Sequence, residues 1–145
     1  MIDQLTIGAL LLVLTTIVHS TCMIISLRTI RVLRAERWRL HWLLTSTILT
    51  AALVLIMFAA SILEAFLYAL TYVFVGAIEA LEPAMYFSIV TFTTLGYGDV
   101  LVAEQWRILA ATEAANGIIM FGWTTALIVY FVGQLRSRQS ESESR

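Results

Sequence analysis

The side chains that most often carry out chemistry are few and scattered in this chain. The sequence contains two histidines, His19 and His41, and one cysteine, Cys22, which are too few for a convincing metal or nucleophile site. It also contains no glycine-rich phosphate loop. The most unusual pattern is TTLGYGD at 93–99, where two glycines alternate with other residues. Glycine adopts positive φ without steric cost, so this segment can take backbone conformations that other residues avoid. We therefore expect no enzyme and no cofactor, and we ask what positions this segment.

The composition is that of a membrane protein. Apolar residues make up 60% of the 145 residues and charged residues only 13%, whereas soluble domains carry about 25% charged residues. The mean hydropathy of +0.88 points the same way. The net charge of −1 gives no basic surface for nucleic acid. A chain of this length is enough for one domain, and we expect an all-α membrane protein.

Three apolar runs are long enough to cross a bilayer, since about 20 helical residues span its hydrocarbon core. They are residues 5–27, 42–75 and 106–132. Glu64 interrupts the second run, and we expect it near the outer membrane surface. In the first run, His19 belongs to a short polar face that we expect to pack on protein.

A shorter apolar segment, residues 83–94, lies between the second and third runs and cannot cross. Pro83 suits the first turn of a helix, and Glu82 suits the positive end of the helix dipole. We interpret this segment as a helix that enters the membrane and does not leave by the far side. Such backbone is tolerated only where it is buried in protein or lines a water-filled path, so it indicates a pore.

The arginines predict the topology. Eight of the nine lie either at 28–39 or at 136–145, and the chain has no lysine. Positive residues favour the cytoplasmic side. We therefore expect a protein of the cell membrane with its N-terminus outside the cell and its C-terminus in the cytoplasm. We interpret the first group as a cytoplasmic loop or interfacial helix that contacts anionic lipid. A voltage sensor is disfavoured, because the first span has no acidic partner after Asp3. The lipid-contacting set is Arg28, Arg31, Arg34, Arg37 and Arg39.

The segment 93–99, preceded by the short helix and flanked by two spans, resembles the selectivity filter of the tetrameric potassium channel family. The resemblance covers about residues 65–133. In that family backbone carbonyls replace the water around a potassium ion, and four subunits surround one pore. The resemblance implies that K⁺ binds to the carbonyls of Thr94, Leu95, Gly96 and Tyr97 and to the hydroxyl of Thr94.

Several neighbours of the filter follow the family pattern. Thr93 and Gly98 flank the ion sites, and Tyr86 and Phe87 resemble the aromatic residues that pack around the filter tyrosine. Asp99 either concentrates cations at the outer mouth or braces the loop. Val90 occupies a position where some relatives carry a glutamate paired with the filter aspartate, so we do not expect that form of gating.

Residues 106–132 resemble the pore-lining inner helix. Gly117 aligns with the hinge glycine of the family, although close helix packing also explains a glycine there. If it is a hinge, the residues that face the cavity or gate are Ile118, Phe121 and Thr125. Glu113 and Asn116 are polar residues in an apolar helix. We interpret them as structural hydrogen-bonding groups or as groups involved in gating.

The sequence thus predicts a homotetramer of three-span subunits with a re-entrant pore helix. We divide it into an N-terminal helix with an arginine-rich linker (1–41), a pore domain (42–135) and a disordered cytoplasmic tail (136–145). The first helix should pack at the pore periphery, against a subunit that the sequence does not specify. The predicted function is passive K⁺ conduction. A weakly selective cation channel, a transporter with channel-like pore loops and a nonconducting regulatory subunit are the alternatives.

Overall fold

The computed structural model describes residues 2–35 and 42–143, and within these ranges the chain is helical without strands. Helix α1 spans Ile2–Ala35 and helix α2 spans Trp42–Phe74. The short helix α3 spans Leu81–Phe92. After a 3₁₀ turn at Glu104–Trp106, helix α4 runs over Arg107–Glu143. The prediction of an all-α membrane protein is confirmed.

Three of these helices are long and apolar enough to cross a membrane. Their candidate spans are Ile2–Ile30, Leu44–Phe74 and Glu104–Leu135, with mean hydropathy of 2.1, 2.3 and 1.7. Large apolar side chains cover the outside of the bundle; Leu55 and Phe58 of α2, for example, are 67% and 61% exposed. Such a surface is stable in lipid but not in water.

Helix α3 is the short helix that the sequence predicted between the second and third apolar runs. Ala80 is extended at its N-terminus (φ −129°), Pro83 lies in the first turn, and Thr93 ends the helix. Its twelve residues reach only about 18 Å, which is too short to cross the membrane. Its buried side chains include Ala84, Phe87 and Ser88, and it packs against α2 and α4.

Two apolar clusters hold the helices together. The larger one surrounds α3 and includes Tyr68, Tyr72 and Phe92, and the smaller one joins α1, α2 and the second half of α4 through side chains such as Leu53 and Phe131. The sequence left the packing partner of the first helix open. Within this chain, α1 packs against α2 and α4.

Two helix ends differ from the predicted boundaries. Helix α4 continues to Glu143, so residues 136–143 of the predicted disordered tail are helical, since no glycine or proline follows Gly133 to end the helix. Helix α1 continues to Ala35 and includes Arg28, Arg31 and Arg34. Arg37 and Arg39 lie outside the described residues.

Candidate functional site

The loop that follows α3 is attached directly to the end of that helix. The N–H groups of Thr93 and Thr94 donate to the carbonyls of Ile89 (3.0 Å) and Thr91 (2.9 Å). The N–H groups of Leu95 and Gly96 both donate to the carbonyl of Val90, at 3.0 and 3.2 Å. The last carbonyls of a helix need such partners, and here the loop provides them. The position of the loop therefore depends on the position of α3.

The backbone of this loop has positive φ at every second residue. The φ values are 62° at Thr94, 58° at Gly96 and 78° at Gly98. In an ordinary extended strand successive peptide groups point to opposite sides, and a reversal of φ at alternate residues brings successive carbonyls toward one side. The positive φ expected at the two glycines is present. The positive φ of Thr94 was not expected, because it costs a non-glycine residue of order 1–3 kcal/mol.

The side chains of the loop lie at the surface of the single chain. Leu95 is 59% exposed and Tyr97 is 68% exposed. Both side chains are therefore accessible to a partner on this side of the loop.

Asp99 is held by two hydrogen bonds at the end of the loop. The hydroxyl of Tyr86 donates to Oδ2 at 2.6 Å, and the backbone N–H of Val100 donates to Oδ1 at 3.1 Å. The hydrogen bond from Tyr86 lowers the pKa of Asp99. Of the two roles considered for Asp99, this geometry favours bracing of the loop against α3.

The two aromatic residues predicted around Tyr97 have other partners in this chain. Tyr86 bonds to Asp99, and the ring of Phe87 packs edge-on against Tyr72 of α2, with centroids 5.3 Å apart. Both residues, with Val90, line a cavity of roughly 110 Å³ between α3 and the backbone of Gly96 and Gly98. Within this chain the two side chains therefore contact Asp99 and Tyr72, and their packing around Tyr97 stays a prediction.

Gly117 lies where α4 crosses the end of α3. A Cβ atom at this position would lie 1.9 Å from the carbonyl oxygen of Phe92 and 2.8 Å from its carbonyl carbon. Helix α4 is continuous through this point. The structure thus provides the packing explanation for this glycine, and the hinge remains a prediction.

The three residues predicted to line the pore lie on the open side of α4. Ile118 and Thr125 are exposed, and Phe121 is 37% exposed. The ring of Phe121 also packs edge-on against Phe92, with centroids 5.8 Å apart. This face of α4 is therefore accessible in the single chain.

Glu113 lies behind α3 and is fully buried. The hydroxyl of Tyr72 donates to its Oε2 at 2.6 Å, and its Oε1 lies within hydrogen-bonding distance of Ser88 Oγ. Ser88 Oγ also donates to the carbonyl of Ala65 at 2.6 Å. The predicted structural hydrogen bonds are thus present, and they join α2, α3 and α4.

Two further polar contacts attach α1 to the bundle. The side-chain amide of Asn116 donates to Thr15 Oγ1 of α1 at 2.8 Å and to the hydroxyl of Tyr68 at 3.2 Å. His19 of α1 has Nδ1 2.9 Å from Glu64 Oε1 of α2 and Nε2 3.2 Å from Thr124 Oγ1 of α4. Each set joins the three membrane-spanning helices.

The His19–Glu64 pair was missed in the sequence. Glu64 is fully buried within the bundle, and its predicted depth near the outer membrane surface stays a prediction. The available signal was that an acidic and a basic group occur inside neighbouring antiparallel spans, where an unpaired charge is costly.

Among the described residues no group of three or more His, Cys, Asp or Glu side chains could hold a metal ion.

The fold and the site define a class: a membrane protein in which a short helix and a glycine-containing loop lie between two helices long enough to span the membrane. A comparison with family models agrees. The model described as an ion channel matches residues 40–134, about two thirds of the chain. The chain therefore belongs to this ion channel family. No solved structure matches it.

Proposed function

We propose that this chain is one subunit of a potassium-selective channel in which four identical copies surround a central pore. Potassium moves through it passively, down its electrochemical gradient. The proposed ion sites are the carbonyls of Thr94, Leu95, Gly96 and Tyr97, with the hydroxyl of Thr94. The observation that carries the proposal is the positive φ at residues 94, 96 and 98, directly after a helix too short to cross the membrane.

A K⁺ ion that enters the proposed sites must exchange its hydration shell for protein oxygens. A dehydrated K⁺ is stable only if oxygen atoms replace its water on all sides. One loop supplies carbonyls on one side, so several copies of the loop are needed, and cyclic symmetry is the usual way to arrange identical copies. The exposed Leu95 and Tyr97 side chains are consistent with contacts between such copies. The negative end of the α3 dipole, near Thr93, also favours a cation.

The rest of the chain fits this arrangement. We assign the pore domain to residues 42–135 and place α1, with the arginine-rich linker, at its periphery. Ile118, Phe121 and Thr125 would face the pore, where a ring of four Phe121 side chains could close it by dewetting. The N-terminus would lie outside the cell membrane, and the arginines after residue 27 would contact anionic lipid on the cytoplasmic side.

Current recordings on the purified protein in bilayers test the proposal. When the K⁺ gradient and the Na⁺ gradient across the bilayer are varied independently, the reversal potential should follow the K⁺ gradient. A reversal potential near zero with K⁺ on one side and Na⁺ on the other would instead indicate a weakly selective cation channel. Absence of current from protein that is tetrameric in detergent would favour the regulatory subunit.

A matched pair of glycine variants tests the role of the loop. Gly96→Ala places a Cβ on a residue with φ of 58°, which costs of order 1–2 kcal/mol, and it should reduce or abolish K⁺ selectivity. Gly133→Ala is the control, because it lies in α4 with nothing within 4 Å of the added Cβ, and it should leave selectivity unchanged. Equal selectivity in both variants would argue against the filter.

A further inference from the structure

The two contacts of the Ser88 hydroxyl need more hydrogen atoms than that hydroxyl has. Ser88 is fully buried in the middle of α3. Its Oγ lies 2.6 Å from the carbonyl oxygen of Ala65 and also within hydrogen-bonding distance of Glu113 Oε1. A serine hydroxyl has one hydrogen, and a carbonyl can only accept. The hydrogen of Ser88 therefore satisfies one of the two contacts, and the other needs a second hydrogen.

An ionised Glu113 cannot supply that hydrogen, because a carboxylate only accepts. Its other oxygen, Oε2, already accepts from the hydroxyl of Tyr72 at 2.6 Å. If Glu113 is ionised, only two hydroxyl hydrogens, those of Tyr72 and Ser88, are available for three oxygen–oxygen contacts. If Glu113 is a neutral acid, its own O–H donates to Ser88, Ser88 donates to Ala65, and Tyr72 donates to Glu113. All three contacts are then hydrogen bonds.

The surroundings of Glu113 agree with a neutral acid. The side chain is fully buried, and an unpaired carboxylate is very costly in such a place. The ion pairs found among the described residues are His19–Glu64 and Arg107–Glu104, and neither includes Glu113. The same carboxyl group connects α2, α3 and α4 through Tyr72, Ser88 and its own helix.

The connection matters because α3 carries the filter. Val90, two residues after Ser88, accepts the N–H groups of both Leu95 and Gly96. A shift of α3 along or around its axis would therefore move the backbone of the proposed ion sites. A hydrogen bond at Ser88 fixes the depth and the rotation of this short helix against its two neighbours.

We propose that Glu113 is a protonated carboxylic acid that donates a hydrogen bond to Ser88 and so acts as a positioning residue for the selectivity filter. The effect on selectivity rests on the proposed K⁺ channel function, whereas the protonation state does not. The two parts are therefore tested by different measurements.

Infrared spectroscopy of the protein in liposomes tests the protonation state without any conduction. The wild-type protein should show a C=O stretch of a protonated carboxyl group that is absent from Glu113→Gln. Glu64→Gln is the matched control, since it removes the other buried carboxyl of the bundle and should retain that band. Retention of the full band in Glu113→Gln, or its absence from the wild type, would overturn the assignment.

The second measurement is the K⁺/Na⁺ permeability ratio from reversal potentials. The amide of Glu113→Gln has a donor and an acceptor like the neutral acid, so its ratio should stay within about twofold of wild type. Glu113→Leu has neither a donor nor an acceptor, and its permeability ratio should fall roughly tenfold. This is the change in an equilibrium constant that the loss of one buried hydrogen bond produces. A wild-type ratio in Glu113→Leu would overturn the positioning role, whereas an unselective wild type would overturn the proposed function instead.

Ser88→Ala covers the case in which Glu113→Leu does not fold. It removes the bridging hydroxyl without leaving a large cavity, and it should lower the permeability ratio in the same direction. Ser26→Ala is its control, because that buried serine bonds only to its own helix, at the carbonyl of Cys22. Equal ratios in the two serine variants would contradict a role for the Ser88 bridge.

Discussion

Gly117 of α4 and the carbonyl group of Phe92 at the end of α3 are in direct backbone contact, so close that a Cβ on Gly117 would lie 1.9 Å from the carbonyl oxygen. The contact ties α4 to the residue that immediately precedes the loop at 93–99. Small residues allow this kind of approach between membrane helices, and no side-chain movement can relieve an overlap with backbone.

Gly117→Ala should therefore destabilise the protein by about 1–3 kcal/mol, the usual cost of overpacking. The thermal unfolding midpoint in detergent, followed by tryptophan fluorescence, measures this. Gly122→Ala is the control, because a Cβ there meets nothing within 4 Å, and it should be neutral or stabilising, by up to about 1 kcal/mol. Gating that changes in Gly117→Ala without any loss of stability would favour the hinge over the packing explanation.

The His19–Glu64 pair gives a second prediction about stability. His19→Leu leaves Glu64 buried without its partner, and breaking a buried pair typically costs about 3–5 kcal/mol. The double variant His19→Leu/Glu64→Leu should be more stable than His19→Leu alone, because it removes both polar groups. Unfolding midpoints of the single and double variants measure the difference.

Thr21→Ala is the control for the variants of this pair. Thr21 is exposed on α1 and donates to the carbonyl of Ile17 in its own helix, so its replacement should change stability by less than about 0.5 kcal/mol. A double variant as unstable as His19→Leu would mean that the pair is not the source of the stabilisation.

The Tyr86–Asp99 hydrogen bond makes a prediction about pH. The bond lowers the pKa of Asp99, so in the folded protein Asp99 stays ionised to a lower pH than a free aspartate does. Its contribution to stability is present above the pKa of the unfolded chain and is lost as the pH falls through the folded pKa. Tyr86→Phe removes the donor, so the pKa of Asp99 should rise toward its value in the unfolded chain. The loss of stability on acidification should then be smaller and should be complete at a higher pH.

Carbon-13 NMR titration of labelled aspartate measures the pKa of Asp99 directly. Tyr130→Phe is the control, because the hydroxyl of Tyr130 is exposed on α4 and accepts from Gln134 of the same helix. The titration of Asp99 should be unchanged in it. An identical Asp99 titration in Tyr86→Phe and wild type would show that the hydrogen bond does not stabilise the ionised form.

The contact between α4 and the N-terminal part of α1 can be tested by enlarging a side chain at the contact. A Cβ on Gly8 would lie 2.5 Å from Thr112 Oγ1, so Gly8→Leu should push α1 away from α4. Distances between spin labels on exposed positions of the two helices should increase. Ala9→Leu adds the same bulk at the neighbouring exposed position and should leave the distances unchanged; a shift in both variants would point to a nonspecific effect.

The elements that depend on local composition were predictable from the sequence. The three spans and the re-entrant helix follow from the length of each apolar run, and Gly96 and Gly98 indicated positive φ because glycine tolerates it. Thr94 was missed in this respect. Its φ is held by the hydrogen bonds that attach the loop to α3, and its residue type alone argues against the conformation.

Contacts between distant parts of the chain were not predictable in the same way. His19 and Glu64 are 45 residues apart, and Asn116 and Thr15 are 101 apart; their pairing depends on how the helices are rotated and how deep each residue lies. Gly117 was ambiguous for another reason. A residue without a Cβ allows a helix to bend and also allows two helices to pack closely, so the residue type does not distinguish these two explanations. The close packing became visible only from the position of Phe92.

The buried polar contacts of α1 have a consequence for any shortened form of this channel. The region that matches the ion channel family begins at residue 40, yet Glu64 and Asn116 within it use His19 and Thr15 of α1 as partners. A two-span fragment would leave the Glu64 carboxyl without His19 and would leave the Asn116 amide with the hydroxyl of Tyr68 alone. The region that matches the family is thus chemically dependent on α1, and a stable fragment without α1 would need an apolar replacement at Glu64.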